Sequence, residues 1–203
     1  GASNTAVGKE SLVSNTTGQQ LVAVGHGALY RNTASNNVAI GYESMWYNTS
    51  GANNTAVGSD SLEANTTGAY NVAMGVNALT ANTTGANSTA IGTNALLANT
   101  TGTHNTGLGR ASLDQTTTGT NLTAVGSGSG YNNTTGVRNT FVGYDARGTA
   151  ATTNDAIGIG YDIQAADDHI TVGKGSTDSR LSFGNTNWNT VSDERYKKDI
   201  VDS

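Results

Sequence analysis

Short apolar runs closed by a glycine recur along this chain, separated by polar stretches of Asn, Thr and Ser. Thr-Ala-Val-Gly at 5–8, Val-Ala-Ile-Gly at 38–41, Val-Ala-Met-Gly at 72–75 and Thr-Ala-Ile-Gly at 89–92 are examples. The closing glycine falls at Gly8, Gly25 and Gly41, then every 17 residues from Gly58 to Gly160; the one irregular step, Gly25 to Gly41, is 16. Four residues after it stands an apolar residue in most repeats, as in Leu12, Leu29, Met45, Leu62, Leu79, Leu96 and Leu113. Seven after it stands Asn, as in Asn65, Asn82 and Asn99, and ten after it a second glycine, as in Gly68, Gly85 and Gly102. A period this strict means one supersecondary unit stacked on copies of itself.

Seventeen residues are too few for a helical hairpin, and the Gly and Asn content opposes helix throughout. They suffice for one coil of a β-solenoid. The pattern therefore predicts an all-β protein, a parallel β-solenoid of about ten coils. In each coil Thr-Ala-Val is expected to be a short strand whose Val or Ile points inward, Ala-Leu the second inward contact, and Asn-Thr-Thr-Gly the turn. Glycines are expected to supply positive φ at the corners. Equivalent Asn residues of neighbouring coils, about 4.8 Å apart, should form ladders of amide hydrogen bonds. The shaft spans 1–160. A junction, 161–191, breaks the period and reads as two short strands, His169 to Gly173 and Arg180 to Gly184, with Trp188 as a packing plug. The segment 192–203 opens a further domain.

Composition changes this picture in one respect. Leu, Ile, Val and Phe together are 34 of 203 residues, a share below the roughly 20% under which chains tend to disorder. Charged residues are 12% and the net charge is −5, so repulsion does not hold the chain open. A thin core is the consequence: one Val or Ile and one Leu per coil bury little against a backbone ordering cost of about 1–2 kcal/mol per residue. Sister chains are expected to supply the missing burial as an intertwined or packed homotrimer, approaching closely at Ala6, Ala56, Ala73 and Ala90. A monomer closed by capping segments is the other arrangement. Absence of Cys removes disulfides and thiolate metal sites, and absence of Pro suits unbroken β-structure. A sequence pI near 4.9 argues against a nucleic-acid partner. No apolar stretch approaches the roughly 20 residues of a membrane span. The first repeat is under way at Asn4, so a segment of a longer chain is expected.

The Asn-x-Ala-Val/Ile-Gly pattern resembles the head repeats of trimeric autotransporter adhesins, which are parallel β-rolls wound as trimers. The longer unit here, as in Asn82 to Gly109, is more similar to repeats ahead of the C-terminal chaperone in phage tail fibres and related surface fibres. A second match lies at the end. Ser192, Asp193, Arg195, Lys197 and Ile200 fall on the signature Ser-Asp-x-Arg-Leu-Lys-x-x-Ile that opens the intramolecular chaperone of phage tailspikes, with Tyr196 in place of Leu. The resemblance implies trimer registration and a cut between Ser192 and Asp193, with Ser192 as nucleophile and Lys197 as its base.

Together these imply a structural and receptor-binding segment of a viral tail fibre or similar extracellular trimeric fibre. The alternatives are a bacterial trimeric surface adhesin or filament, and the stalk of a self-cleaving, chaperone-tailed fibre. No cofactor is expected, and no enzymatic activity beyond self-cleavage. The candidate binding surface is aromatic. Tyr30 and Trp46 occupy the same repeat position in consecutive coils, with Tyr42 and Tyr47 beside Trp46. Such rings suit the apolar faces of a host glycan, or fill space between chains of the trimer. Carboxylates Glu10, Glu43, Asp60 and Asp145 all fall two residues after the marker glycine and are expected on one solvated edge. His26, His104 and His169 make no metal-ligand spacing and are expected to be structural filler, and the Asn-x-Thr sequons follow from the repeat itself.

Overall fold

The computed structural model describes residues 2–175, 177–184 and 189–190. Among them there is no helix, and the chain winds as a parallel β-solenoid. Nine strands of three residues each, from β1 (Thr5–Val7) to β9 (Thr140–Val142), follow one another at one per coil. Each pairs in parallel with the next, Ala56 opposite Ala73 and Ala73 opposite Ala90. A two-residue pair, β10 (Arg147–Gly148) with β12 (Gln164–Ala165), forms a small second sheet. The main sheet continues through β11 (Ile157–Tyr161) to β13 (His169–Lys174), with Gly160 opposite Gly173. The shaft thus carries on one shortened coil past Gly160. Two antiparallel strands end it: β14 (Ser179–Ser182) on β13, then β15 (Asn189–Thr190) on β14.

The strands face the opposite way from the sequence expectation. Alanine, the middle residue, points inward: Ala56, Ala73 and Ala90 are fully buried, while Met74 and Ile91 keep 42% and 36% of their surface. The alanine row is therefore inside each coil and cannot be where sister chains approach; Ala6 belongs to the same row in the open first coil. The reason is room. At Gly107, which replaces this alanine in one coil, even a methyl group would come within 2.9 Å of Ser112 Oγ and 3.5 Å of Leu96 Cγ. Where the row holds Phe141, two neighbours give way. Gly130 stands in the leucine position and Gly158 in the alanine position of the next strand, and a Cβ at either would lie 3.0 or 3.3 Å from the Phe141 ring.

The corners hold a second departure. In most coils glycine supplies one positive φ, as Gly58 does at 137°, and non-glycine residues supply three more: Asn53 at 60°, Asp60 at 55° and Leu62 at 51°. The inward leucines repeat this, Leu79 at 53° and Leu96 at 52°. A left-handed leucine costs about 1–2 kcal/mol. Complete burial of its side chain is worth roughly 1.5–3 kcal/mol, so packing outweighs backbone strain. The turn glycines are needed for a different reason. Gly68 has no positive φ, but a Cβ there would sit 2.3 Å from Gly85 O in the next coil.

The expected amide ladder is present and buried. Asn48 Nδ2 donates to Asn32 Oδ1 at 2.6 Å, Asn65 to Asn48 at 2.7 Å, Asn82 to Asn65 at 2.8 Å and Asn99 to Asn82 at 2.9 Å. Each of Asn65 and Asn82 also donates to the turn carbonyl of its own coil, Gly68 or Gly85. A second row runs beside it: Asn54 donates to Gly68 O and accepts from the backbone N–H of Asn71. Thr66 and Thr83 hydroxyls add a third, each donating to the equivalent carbonyl one coil on. Asn65→Ala should therefore cost about 3 kcal/mol, because it strands Asn48 Oδ1 and one Asn82 donor in a buried row, while Gly68 O keeps its Asn54 donor. Thr84→Ala, on an exposed turn position, should change stability by less than about 0.5 kcal/mol. Urea midpoints read by circular dichroism compare the two; equal midpoints would mean the ladder contributes nothing.

Candidate functional site

Tyr30 and Trp46 come together as their shared repeat position requires. Their rings stack with centroids 4.3 Å apart and planes 2° from parallel. Residues at equivalent positions of successive coils lie one strand spacing apart along the axis, so the ring planes stand across the rod and their edges face outward. His26 and Tyr42, each one residue after a marker glycine, make a neighbouring stack at 5.3 Å, and His26 also lies 6.2 Å from Trp46. Tyr42 is thus tied to Trp46 through His26, which packs as part of the aromatic group. Tyr47 instead carries the Arg31 guanidinium over its ring at 5.0 Å.

The width of Trp46 is accommodated by one substitution in the repeat. Its six-membered ring lies over Gly27, where a Cβ would be 2.0 Å from Trp46 Cζ3. Gly27 occupies the left-handed corner that holds Glu10, Glu43 or Asp60 in other coils, at φ 66°. Tyr42 and Tyr47 are exposed, while Tyr30 and Trp46 are half-buried.

Acidic groups border the stack. Glu63 follows Trp46 in the same repeat position, and its carboxyl is raised above the usual range by burial, then by the charges of Asp60 and Glu43. The Tyr42 hydroxyl is raised as well, first by its hydrogen bond with Glu43 and then by that residue's charge. The edge thus combines ring edges, a phenol and three carboxylates, a set able to accept hydrogen bonds from vicinal hydroxyl groups while packing against C–H surface.

The row of acids two residues after the marker glycine has a backbone cause. Glu10, Glu43, Asp60 and Asp145 all have φ between 50° and 62°, and Asn77 and Asn94 fill the same corner at 56° and 59°. Asp and Asn tolerate this region better than most residues. Among the described residues no group of three His, Cys, Asp or Glu side chains is placed to hold a metal ion, and no helix is long and apolar enough to cross a membrane. The Asn residues of the repeat sequons, such as Asn65 and Asn82, are buried in the amide ladder. Ser192, Asp193 and Lys197 lie outside the described residues, as does Trp188.

A second aromatic region lies toward the end of the shaft. Tyr144 and Tyr161 stack at 5.3 Å with Lys174 Nζ 5.7 Å over the Tyr161 ring. Tyr131, in the repeat position of Tyr30 and Trp46, is covered by Arg147, which also pairs with Asp162 at 2.8 Å. The signal was present in the sequence: Tyr42, Tyr144 and Tyr161 each directly follow a marker glycine. No family model matches this chain, and no curated protein and no solved structure is significantly similar to it.

Proposed function

We propose that this chain is the shaft of an extracellular fibre of the viral tail-fibre kind, working as a homotrimer and carrying a receptor-binding edge at Tyr30, Tyr42, Trp46 and Tyr47. The observation that carries the reading is the axial continuity of the rod. Three side-chain rows and the backbone bonds join each coil to the next, for example Leu62 N–H to Ala78 O and Ala64 N–H to Thr80 O, in turns as well as strands. A coil bonded at nearly every level resists bending. At about 4.8 Å per coil, eleven coils make a rod roughly 50 Å long. Such an object suits holding a surface at a distance.

The receptor class favoured by the aromatic group and the Glu43, Asp60 and Glu63 carboxylates is a glycan, whose hydroxyls donate to the acids and whose apolar faces pack on the exposed Tyr47 ring. Binding of the fluorescently labelled chain to a glycan array, repeated with Trp46→Ala and Tyr47→Ala, tests this directly. Each variant should lose at least tenfold in affinity with its circular dichroism unchanged. Unaltered binding by both variants would remove this surface as the receptor site.

A further inference from the structure

Among the described residues nothing covers the outer face of the long sheet. Each three-residue strand turns its first and third residues outward, because the middle alanine points in. The third residue is Val, Ile, Leu or Met in every strand of the parallel run from Val7 to Val172, and the first is Thr, Val or Ile. Neither row contains a charge. The third-residue row is exposed at Val7 (57%), Ile40, Met74, Leu108 and Ile159. Parallel sheets are normally covered on both faces, and a continuous aliphatic stripe of this length exceeds what monomeric proteins usually leave in water.

We infer that this face is the surface on which copies of the chain pack against one another, parallel and in register, around an axis running along the rod. The inference deepens the proposed fibre reading and rests on it. Size fits: about 50 Å of rod by roughly 20 Å between the rims gives about 1,000 Å2, close to what each partner brings to a stable interface.

The two rims are also complementary at three heights along the rod. One rim is the residue after the marker glycine, and the other is the left-handed residue two before each strand. At β5 (Val72–Met74) these are Val76 and Tyr70, both exposed. At β9 they are Tyr144 and Arg138, and at β13, counted from Ile170 opposite Ile157, Lys174 and Asp168. A ring of chains related by rotation brings one rim of each chain against the other rim of its neighbour. In register, that sets an aliphatic group against a tyrosine, a guanidinium against an aromatic ring, and an ammonium against a carboxylate.

Light scattering of the full 203-residue chain, with Ile91→Asp and Leu108→Asp, tests the face. The native chain should be a homo-oligomer, and each variant should shift to a monomer that keeps its β-sheet circular dichroism. A native monomer would overturn both this inference and the fibre reading beneath it. A native oligomer whose folded variants stay oligomeric would overturn the face alone. Because the chain has no cysteine, the double variant Tyr70→Cys with Val76→Cys gives an independent readout that does not depend on the charged variants folding. It should form disulfide-linked oligomers under mild oxidation, while either single variant should not. Failure of the double variant to link would overturn the in-register arrangement.

Discussion

Leu79→Asp is expected to abolish cooperative folding of the rod. Leu79 is fully buried, in the same repeat position as Leu62 and Leu96 one coil away on either side. Its φ of 53° suits aspartate better than leucine, so the backbone gains slightly and the loss comes from the side chain alone. Removing the leucine costs about 2–5 kcal/mol, and an unpaired buried carboxylate adds several more. The sum approaches the whole stability of a typical domain, about 5–15 kcal/mol. Thr84→Ala, at an exposed turn position, should leave the melting transition within a degree or two. Thermal melts of the two variants decide the matter: similar transitions would show that the inward assignment of the leucine row is wrong.

The second large effect is expected at a marker glycine. Gly75 has φ of 139° and a Cβ there would lie 2.6 Å from both C and O of Gly92 in the next coil. The obstructing atoms are backbone, and that backbone is fixed by the axial bond from Gly92 N–H to Met74 O. Gly75→Ala therefore combines conformational strain of about 1–3 kcal/mol with overpacking of similar size, roughly 4 kcal/mol together. At about 2–4 °C per kcal/mol for a chain of this length, the melting temperature should fall by roughly 10 °C. Gly175→Ala provides the contrast. Gly175 also has positive φ, 58°, but nothing lies within 4 Å of the point a Cβ would occupy, so only the backbone term, about 1–2 kcal/mol, remains. Differential scanning calorimetry on both variants separates them, and a Gly75→Ala rod no less stable than Gly175→Ala would mean that the coils are not stacked this closely.

Several features were legible without coordinates. The interval between Gly58, Gly75 and Gly92 gave the coil, and its repetition gave the parallel sheet, because identical units stacked in one direction pair identical positions. Asn65 and Asn82 announced the amide ladder for the same reason. The shared repeat position of Tyr30 and Trp46 led to their stack, and the same logic would have found Tyr131 had the position been followed to the next aromatic. Each of these rests on translation along one axis, which a linear sequence records.

Only the tertiary structure decided what lies inside a coil and what lies outside. In Val-Ala-Met at 72–74 all three residues are apolar, so alternation alone does not say whether Ala73 or its neighbours face the core. The cross-section of the coil settles it, since beside a leucine and a serine there is little room beyond a methyl group, as the contacts at Gly107 show, and Phe141 fits only where Gly130 and Gly158 give way. The left-handed conformation of Leu62 and Leu79 was equally hidden, because leucine has no local preference for it and adopts it only where burial exceeds the strain. Sequence determined the period, the β class and the ladders. Tertiary packing determined the facing of each strand, and with it which row of side chains is left for another molecule to cover.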